Sequence, residues 1–230
     1  MAKKRALLMV KMDPPGSREA EWNDWYNNRH VAARLAAEGF LFIRRYREIE
    51  VDPNRFARQG DAKYLALYDL ASTDVLNSEG YLEIKKREAA QPADSFEAIT
   101  KGLMNVSRGV YEQIFPETGD YRPPDSKFLL VVGHDVPHHM DREYNVWYNT
   151  EHIPVVTKIP GFLTARRFVL AKGEFGSKNA PKYLSLYDLE KAPIFDADIR
   201  KASATPWSAW LQGKYERKIR LLYERIYPRP

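Results

Sequence analysis

The stretch Glu21–His30, EWNDWYNNRH, returns at Glu143–His152 as EYNVWYNTEH. Each copy sets Trp, Tyr and Asn in succession (Trp25-Tyr26-Asn27 and Trp147-Tyr148-Asn149) and follows them with a histidine, His30 or His152. Working outward, Gly39-Phe40 matches Gly161-Phe162, and Arg44-Arg45-Tyr46 matches Arg166-Arg167-Phe168. KYLALYDL, starting at Lys63, matches KYLSLYDL at Lys182, and VYEQIFP at Val110 matches LYERIYP at Leu222. The offset narrows along the chain, so the second copy has a shorter loop and a shorter second helix. Matching blocks in one order identify a tandem duplication.

Each copy spells the same elements. RALLMVKM is an apolar run of strand length. DPPGS breaks it, and Ser17 is the predicted helix N-cap, with Glu19 and Glu21 in the first turn. The helix is expected to run to about Ala37 and to stop at Gly39 as a C-cap. FLFIRRYREIE and KYLALYDL are the second and third strands, joined by VDPNRFARQGDA. A second helix starts near Ser72 or Thr73, and SRGVYEQIF closes the copy. The order β-α-β-β-α-β is the split βαβ arrangement of a ferredoxin-like unit. Its helices cover one face of the sheet and leave the other to be covered. The expected fold class is therefore α+β, with two ferredoxin-like repeats packed sheet to sheet as an intramolecular α+β barrel. The repeats span residues 1–116 and 127–230, and the Pro-, Gly- and Asp-rich segment 117–126 links them.

Composition narrows the function classes. A chain of 230 residues suffices for one large domain or two of about 100 each. No stretch approaches the roughly 20 apolar residues that span a bilayer. The start, MAKKRALLMVKMDPP, reads as a first strand, not a signal peptide. The absence of cysteine excludes disulfides, thiolate metal sites and a cysteine nucleophile, and it fits a reducing, cytoplasmic compartment. The net charge of +5 is spread along the chain, so neither nucleic acid nor membrane is an expected partner. A small-molecule ligand is expected, and homo-oligomeric assembly stays open.

The tandem plan, with W-Y-N-x-x-H on the first helix followed by G-F and R-R-[YF], resembles the dimeric α+β barrel superfamily and, within it, EthD-like proteins. The segment Trp147–Phe168, WYNTEHIPVVTKIPGFLTARRF, is nearer to that pattern than the first copy. There, RHVA at Arg29–Ala32 lacks the Pro of EHIP at Glu151–Pro154. The resemblance implies the fold over nearly the whole chain. It leaves activity open, since the superfamily includes cyclases, isomerases, dehydratases, monooxygenases and haem enzymes.

Helical spacing puts Trp22, Trp25, Tyr26, Arg29, His30 and Ala33 on one stripe, and Tyr144, Trp147, Tyr148, Glu151, His152 and Val155 on its counterpart. The histidine on this stripe either ties helix to sheet or moves protons. The second copy adds His134 at the end of its first strand, where the first has Met12, so His152 and His134 are the candidate acid and base. His138 and His139 read as exposed loop residues. Tyr187 and Arg166, on strands, are candidates to hold an oxyanion. Trp147, Tyr148, Tyr183, Phe168 and Trp207, with His30 and Tyr68 from the first copy, are candidate substrate contacts. The sequence has no H-E-x-x-H, phosphate loop or nucleophile elbow, and neither metal nor cofactor is expected. Haem, held by a histidine, is the cofactor alternative that the resemblance leaves open. The expected function is cofactor-independent acid–base chemistry of lyase, isomerase or cyclase type on a small hydrophobic, oxygenated molecule, aromatic or polyketide-like. The alternatives are a haem-dependent oxidoreductase or haem-degrading monooxygenase, and a non-catalytic ligand-binding or stress-associated protein.

Overall fold

The computed structural model describes residues 4–49, 61–90, 100–117, 122–171, 180–192 and 196–230, without the side chains of residues 196 and 197. Most of the loop VDPNRFARQGDA and residues 118–121 of the expected linker lie outside the described residues. The chain divides into two compact α+β units. Unit 1 holds Met1–Tyr46, Gly60–Glu112 and Ala171–Ala180, and unit 2 holds Arg47–Gln59, Gln113–Leu170 and Pro181–Pro230.

In unit 1, β1 (Ala6–Asp13) leads through a short 3-10 turn, Gly16–Arg18, into α1 (Glu19–Trp25). A π-helical turn at Tyr26–His30 carries α1 into α2 (Val31–Leu35). Then come β2 (Phe40–Glu48), β3 (Tyr64–Leu70), α3 (Glu79–Ala89) and β4 (Met104–Phe115). The strand order is β4-β1-β3-β2, and β1 is antiparallel to both β3 and β4. Unit 2 has β5 (Phe128–Asp135), then α4 (Asp141–Trp147), a π-helical turn at Tyr148–His152 and α5 (Ile153–Val156). It continues with β6 (Phe162–Leu170), β7 (Tyr183–Leu189), α6 (Asp196–Ala202), α7 (Pro206–Leu211) and β8 (Glu216–Tyr227), in the order β8-β5-β7-β6.

Strands β3 and β7 are buried at every position, which is why KYLALYDL and KYLSLYDL carry apolar or aromatic residues on both faces. The core of unit 2 lies between sheet and helices, where Leu130, Val132, Tyr144, Trp147, Tyr148 and Tyr187 pack together. Burying each of these large side chains contributes roughly 2 kcal/mol.

Two helix-end expectations change. Ser17 falls inside the 3-10 turn, and the residue before α1 is Arg18, which makes no side-chain cap. The helix ends at Leu35, and Gly39 sits later, in the turn that enters β2, with φ of 91°. Its carbonyl accepts the Ala71 N–H at 2.9 Å, which ties the turn to the end of β3. A Cβ at Gly39 would stand 2.4 Å from Cγ2 of Val75. Gly39→Ala is therefore expected to cost about 2 kcal/mol, from the left-handed backbone together with the overlap. Gly16→Ala, where a Cβ meets nothing within 4 Å, should change stability little. Denaturant unfolding of the two variants checks the contrast.

Candidate functional site

The repeated motif is built around a buried arginine. In unit 2, the Arg167 guanidinium lies 4.1 Å from the centre of the Tyr148 ring and donates to Asn149 Oδ1 at 2.7 Å. In unit 1, Arg45 lies 4.1 Å from the Tyr26 ring and 4.6 Å from Trp22, and it donates to the Asn27 and Asn23 side chains. The Tyr and Asn of W-Y-N thus clamp the second arginine of R-R to the helix. Burial lowers the pKa of Arg45 to about 10, which leaves it a cation at neutral pH. The same tyrosines reach the third strand of each unit: Tyr148 and Tyr187 hydroxyls are 2.8 Å apart, and Tyr26 and Tyr68 hydroxyls are also paired.

The motif's histidine rides on the π-helical turn. The wider turn brings residues four and five apart together, so His152 packs 4.9 Å from Trp147 and 4.6 Å from Tyr148, ring centre to ring centre. His134 arrives from β5. There the ladder to β8 shifts register, with Gly133 opposite Ile219 and His134 opposite Arg217. Gly133 is needed at this point, since a Cβ would stand 2.5 Å from Pro181 and 2.7 Å from Ile219. The bulge turns β8 so that Arg217 stands opposite His134.

His134 and His152 line one cavity of about 90 Å³, with Leu130, Val132, Trp147, Tyr148, Val156, Tyr187, Ile199, Tyr215, Arg217 and Arg220. Leu130, Val132 and His134 alternate along β5, so one sheet face supplies the floor. His134 Nδ1 is hydrogen-bonded to the Tyr144 hydroxyl at 2.6 Å, while its Nε2 and the Nδ1 of His152 have no hydrogen-bond partner. Burial pushes both imidazoles down. His134 falls well below its ordinary range, helped by the charge of Arg217, and His152 falls to about 4, helped by Arg167 and Arg217. Both are neutral at physiological pH. Burial raises the Tyr187 phenol well above its ordinary value, so it stays a hydroxyl.

The other expected contacts are elsewhere. Arg166 and Phe168 point away from the helices, the guanidinium 5.3 Å from the Phe168 ring, because neighbouring strand residues alternate and Arg167 takes the helix side. Arg166 therefore cannot hold an oxyanion in this cavity. Tyr183 donates to Asp141 at 3.0 Å, and Trp207 packs against the core, neither on the cavity wall. His138 and His139 are exposed, His138 Nδ1 lying 3.0 Å from Asp141.

His30 and Tyr68 belong to a separate cavity in unit 1, of about 200 Å³. His30 Nε2 is 3.2 Å from the Tyr68 hydroxyl, and its Nδ1 is 3.5 Å from Glu88, near enough for attraction and too poorly aligned for a hydrogen bond. Glu88 accepts two bonds from Arg34, both 2.6 Å. Burial alone would raise the Glu88 carboxyl, and His30 and Arg34 bring it down to about 2. Glu88, Arg34, Arg108, Arg217 and Arg220 escaped the sequence reading. Only the arginines of the last strands left a signal, since Arg108 and Arg220 hold matching places before VYEQIFP and LYERIYP.

No protein-family model matches the chain, and no curated protein matches it. Solved structures do. A protein assigned as a chlorite dismutase is 12% identical, with 97% of this chain and 95% of that chain covered and a TM-score of 0.64. A protein of Fusobacterium nucleatum subsp. nucleatum assigned as a monooxygenase is 10% identical, with 98% and 94% covered and a TM-score of 0.57. An anthrone oxidase-like protein is 12% identical, with 98% and 92% covered and a TM-score of 0.56. At these identities the likeness shows the fold alone. Among the described residues no helix is long and apolar enough to cross a membrane.

The comparison corrects two expectations. All three structures carry names of oxidation chemistry, so the cofactor-independent lyase, isomerase or cyclase reading falls. The expectation of no cofactor falls with it, since the names of the similar structures point away from cofactor-free chemistry. Haem is the group to test against the site. The ligand chemistry suits it, since His152 offers a neutral imidazole with an unpartnered nitrogen. The volume does not: about 90 Å³ is far below the roughly 300 Å³ at which pockets for drug-sized ligands begin, and a haem is larger still. The cavity, as bounded by the described residues, does not fit haem.

The buried imidazoles make stability depend on pH. Below pH 6.5 the unfolded chain takes up a proton that folded His152 refuses until about pH 4. Stability from this group is complete above 6.5 and falls by roughly 3 kcal/mol as the pH drops to about 4. His134 acts in the same direction. Denaturant unfolding across this range should show a shallower fall for His152→Gln, which takes no proton; equal slopes would mean that the imidazole is not held neutral.

Proposed function

We propose that the chain is an oxidoreductase whose unit 2 cavity binds a small oxygen-bearing anion, the electrons being exchanged with a redox cofactor seated outside that cavity. The observation that carries this reading is the lining: two neutral imidazoles and two arginines, with no acidic residue among the described lining residues. Arg217 is exposed and has no ion pair among the described residues. An anion entering this field is attracted by it and raises the pKa of both imidazoles, so it takes up a proton as it binds. His152 and His134 hold that proton, and the paired hydroxyls of Tyr148 and Tyr187 supply hydrogen-bond donors. Size selects further. A cavity of about 150 Å³ holds benzene, so about 90 Å³ admits only a few heavy atoms, as in chlorite or nitrite. This replaces the aromatic or polyketide-like ligand expected from the sequence. The names of the similar structures, a chlorite dismutase among them, support the oxidoreductase class.

We further read the chain as two ferredoxin-like repeats, 1–116 and 127–230 joined by 117–126, with EthD-like kinship. The same strand order and the same arginine clamp in each unit support the repeats. The cysteine-free sequence supports a cytoplasmic setting.

Titration with chlorite and nitrite, read by tryptophan emission and by chlorite decay, tests the assignment. Binding should saturate and tighten as the pH falls from about 8 to about 6, because the bound anion favours the imidazolium form. Arg217→Gln should weaken it about tenfold, and His152→Ala should flatten its pH dependence. Binding that ignores pH would defeat the proposal. A Soret band that appears with haemin and is lost in His152→Ala would overturn the volume argument.

A further inference from the structure

The cavity of unit 1 has a different chemistry from that of unit 2. Leu8, Val10 and Met12 alternate along β1 to form its floor, and Trp22, Trp25, Tyr26 and Tyr81 supply aromatic walls. Its volume, about 200 Å³, exceeds the roughly 150 Å³ that accommodates benzene, so one substituted ring fits and a fused polycycle does not.

Its charges are uneven. Among the described residues that line it, Arg34 and Arg108 are cations and none is acidic. Arg34 is already neutralised, since its Nη1 and Nη2 each donate to Glu88, which lies outside the cavity lining. Arg108 is exposed and has no ion pair or hydrogen bond among the described residues. Paired with Val10 across the β1–β4 ladder, it stands beside the middle of the floor strand. One uncompensated positive charge therefore lies at the edge of an aromatic-walled, ring-sized space. The polar groups inside are His30, whose Nδ1 has no hydrogen-bond partner, and the Tyr68 hydroxyl 3.2 Å from its Nε2.

We propose that this cavity is a second ligand site, for a single-ring aromatic carboxylic acid whose ring lies against Trp25, Tyr26 and Tyr81 and whose carboxylate pairs with Arg108. The site takes one negative charge because one of its two cations is free. His30 is a positioning residue: Glu88 beside it and Tyr68 beyond it fix the orientation of the imidazole that faces the ring. The site is independent of the oxidoreductase reading, because it shares no residue with the unit 2 cavity.

Calorimetric titration of the full chain with benzoate, and with benzamide as its uncharged counterpart, tests the site. Benzoate should bind with one-to-one stoichiometry, about tenfold more tightly than benzamide. Arg108→Gln should remove that preference while leaving benzamide binding as it was. Arg217→Gln, in the other unit, should leave benzoate binding intact, which separates this site from the first. Arg108 is exposed, so its replacement leaves the fold in place, and circular dichroism confirms it. Equal binding of benzoate and benzamide, a preference that survives Arg108→Gln, or the absence of saturable benzoate binding would each overturn the inference.

Discussion

A buried guanidinium without a carboxylate partner is the constraint on which each unit depends. Among the described residues, Arg45 and Arg167 find only amide oxygens and aromatic faces. Removing an ion from water costs several kcal/mol, so this arrangement persists only where every neighbour contributes. A desolvated cation over a tyrosine face regains about 2 kcal/mol, and a charge-assisted bond to an asparagine adds a similar amount. The Tyr and the Asn must be adjacent on the helix, and the arginine must lie on the strand face beneath them. The Tyr and Asn of W-Y-N recur with the second arginine of R-R as its ring and amide partners.

The uncompensated charge also reaches the histidines. Arg167 helps to lower both His134 and His152, and Arg45 contributes to the lowered value of His30, in each case behind burial as the main cause. A carboxylate partner for either arginine would have cancelled this field. The clamp that joins helix to strand therefore also helps burial to hold the imidazoles neutral. The tyrosine and asparagine build the clamp, and the histidine lies in the field it creates.

The sequence made the order of elements legible because strand and helix periods are written in local residues. KYLALYDL and KYLSLYDL stood out as strands, and Gly39 as a stop, although the glycine serves the turn into β2 and not the helix end. Strand alternation was also available, and it separates Arg166 from Arg167. The π-helical turns were hidden, since an apolar stripe reads nearly the same with one residue inserted in the turn. Glu88 was hidden for another reason. It joins His30 and Arg34 across the packing of two helices, and no local spacing encodes that meeting.

The cavities diverge where the scaffold leaves positions free. Met12 holds in unit 1 the position that His134 holds in unit 2, so one floor ends in a thioether and the other in an imidazole. The last strands show the same scaffold giving opposite results. Arg108 is opposite Val10 and Arg220 is opposite Val132, one register in both ladders. Yet Arg108 is exposed, while Arg220 is 5% exposed. A cation at the rim attracts a ligand whose charge stays near water while its ring goes inside. A cation in the wall, beside two neutral imidazoles, favours an anion that enters whole. Register fixes where the charge is delivered, and burial decides what kind of molecule can meet it.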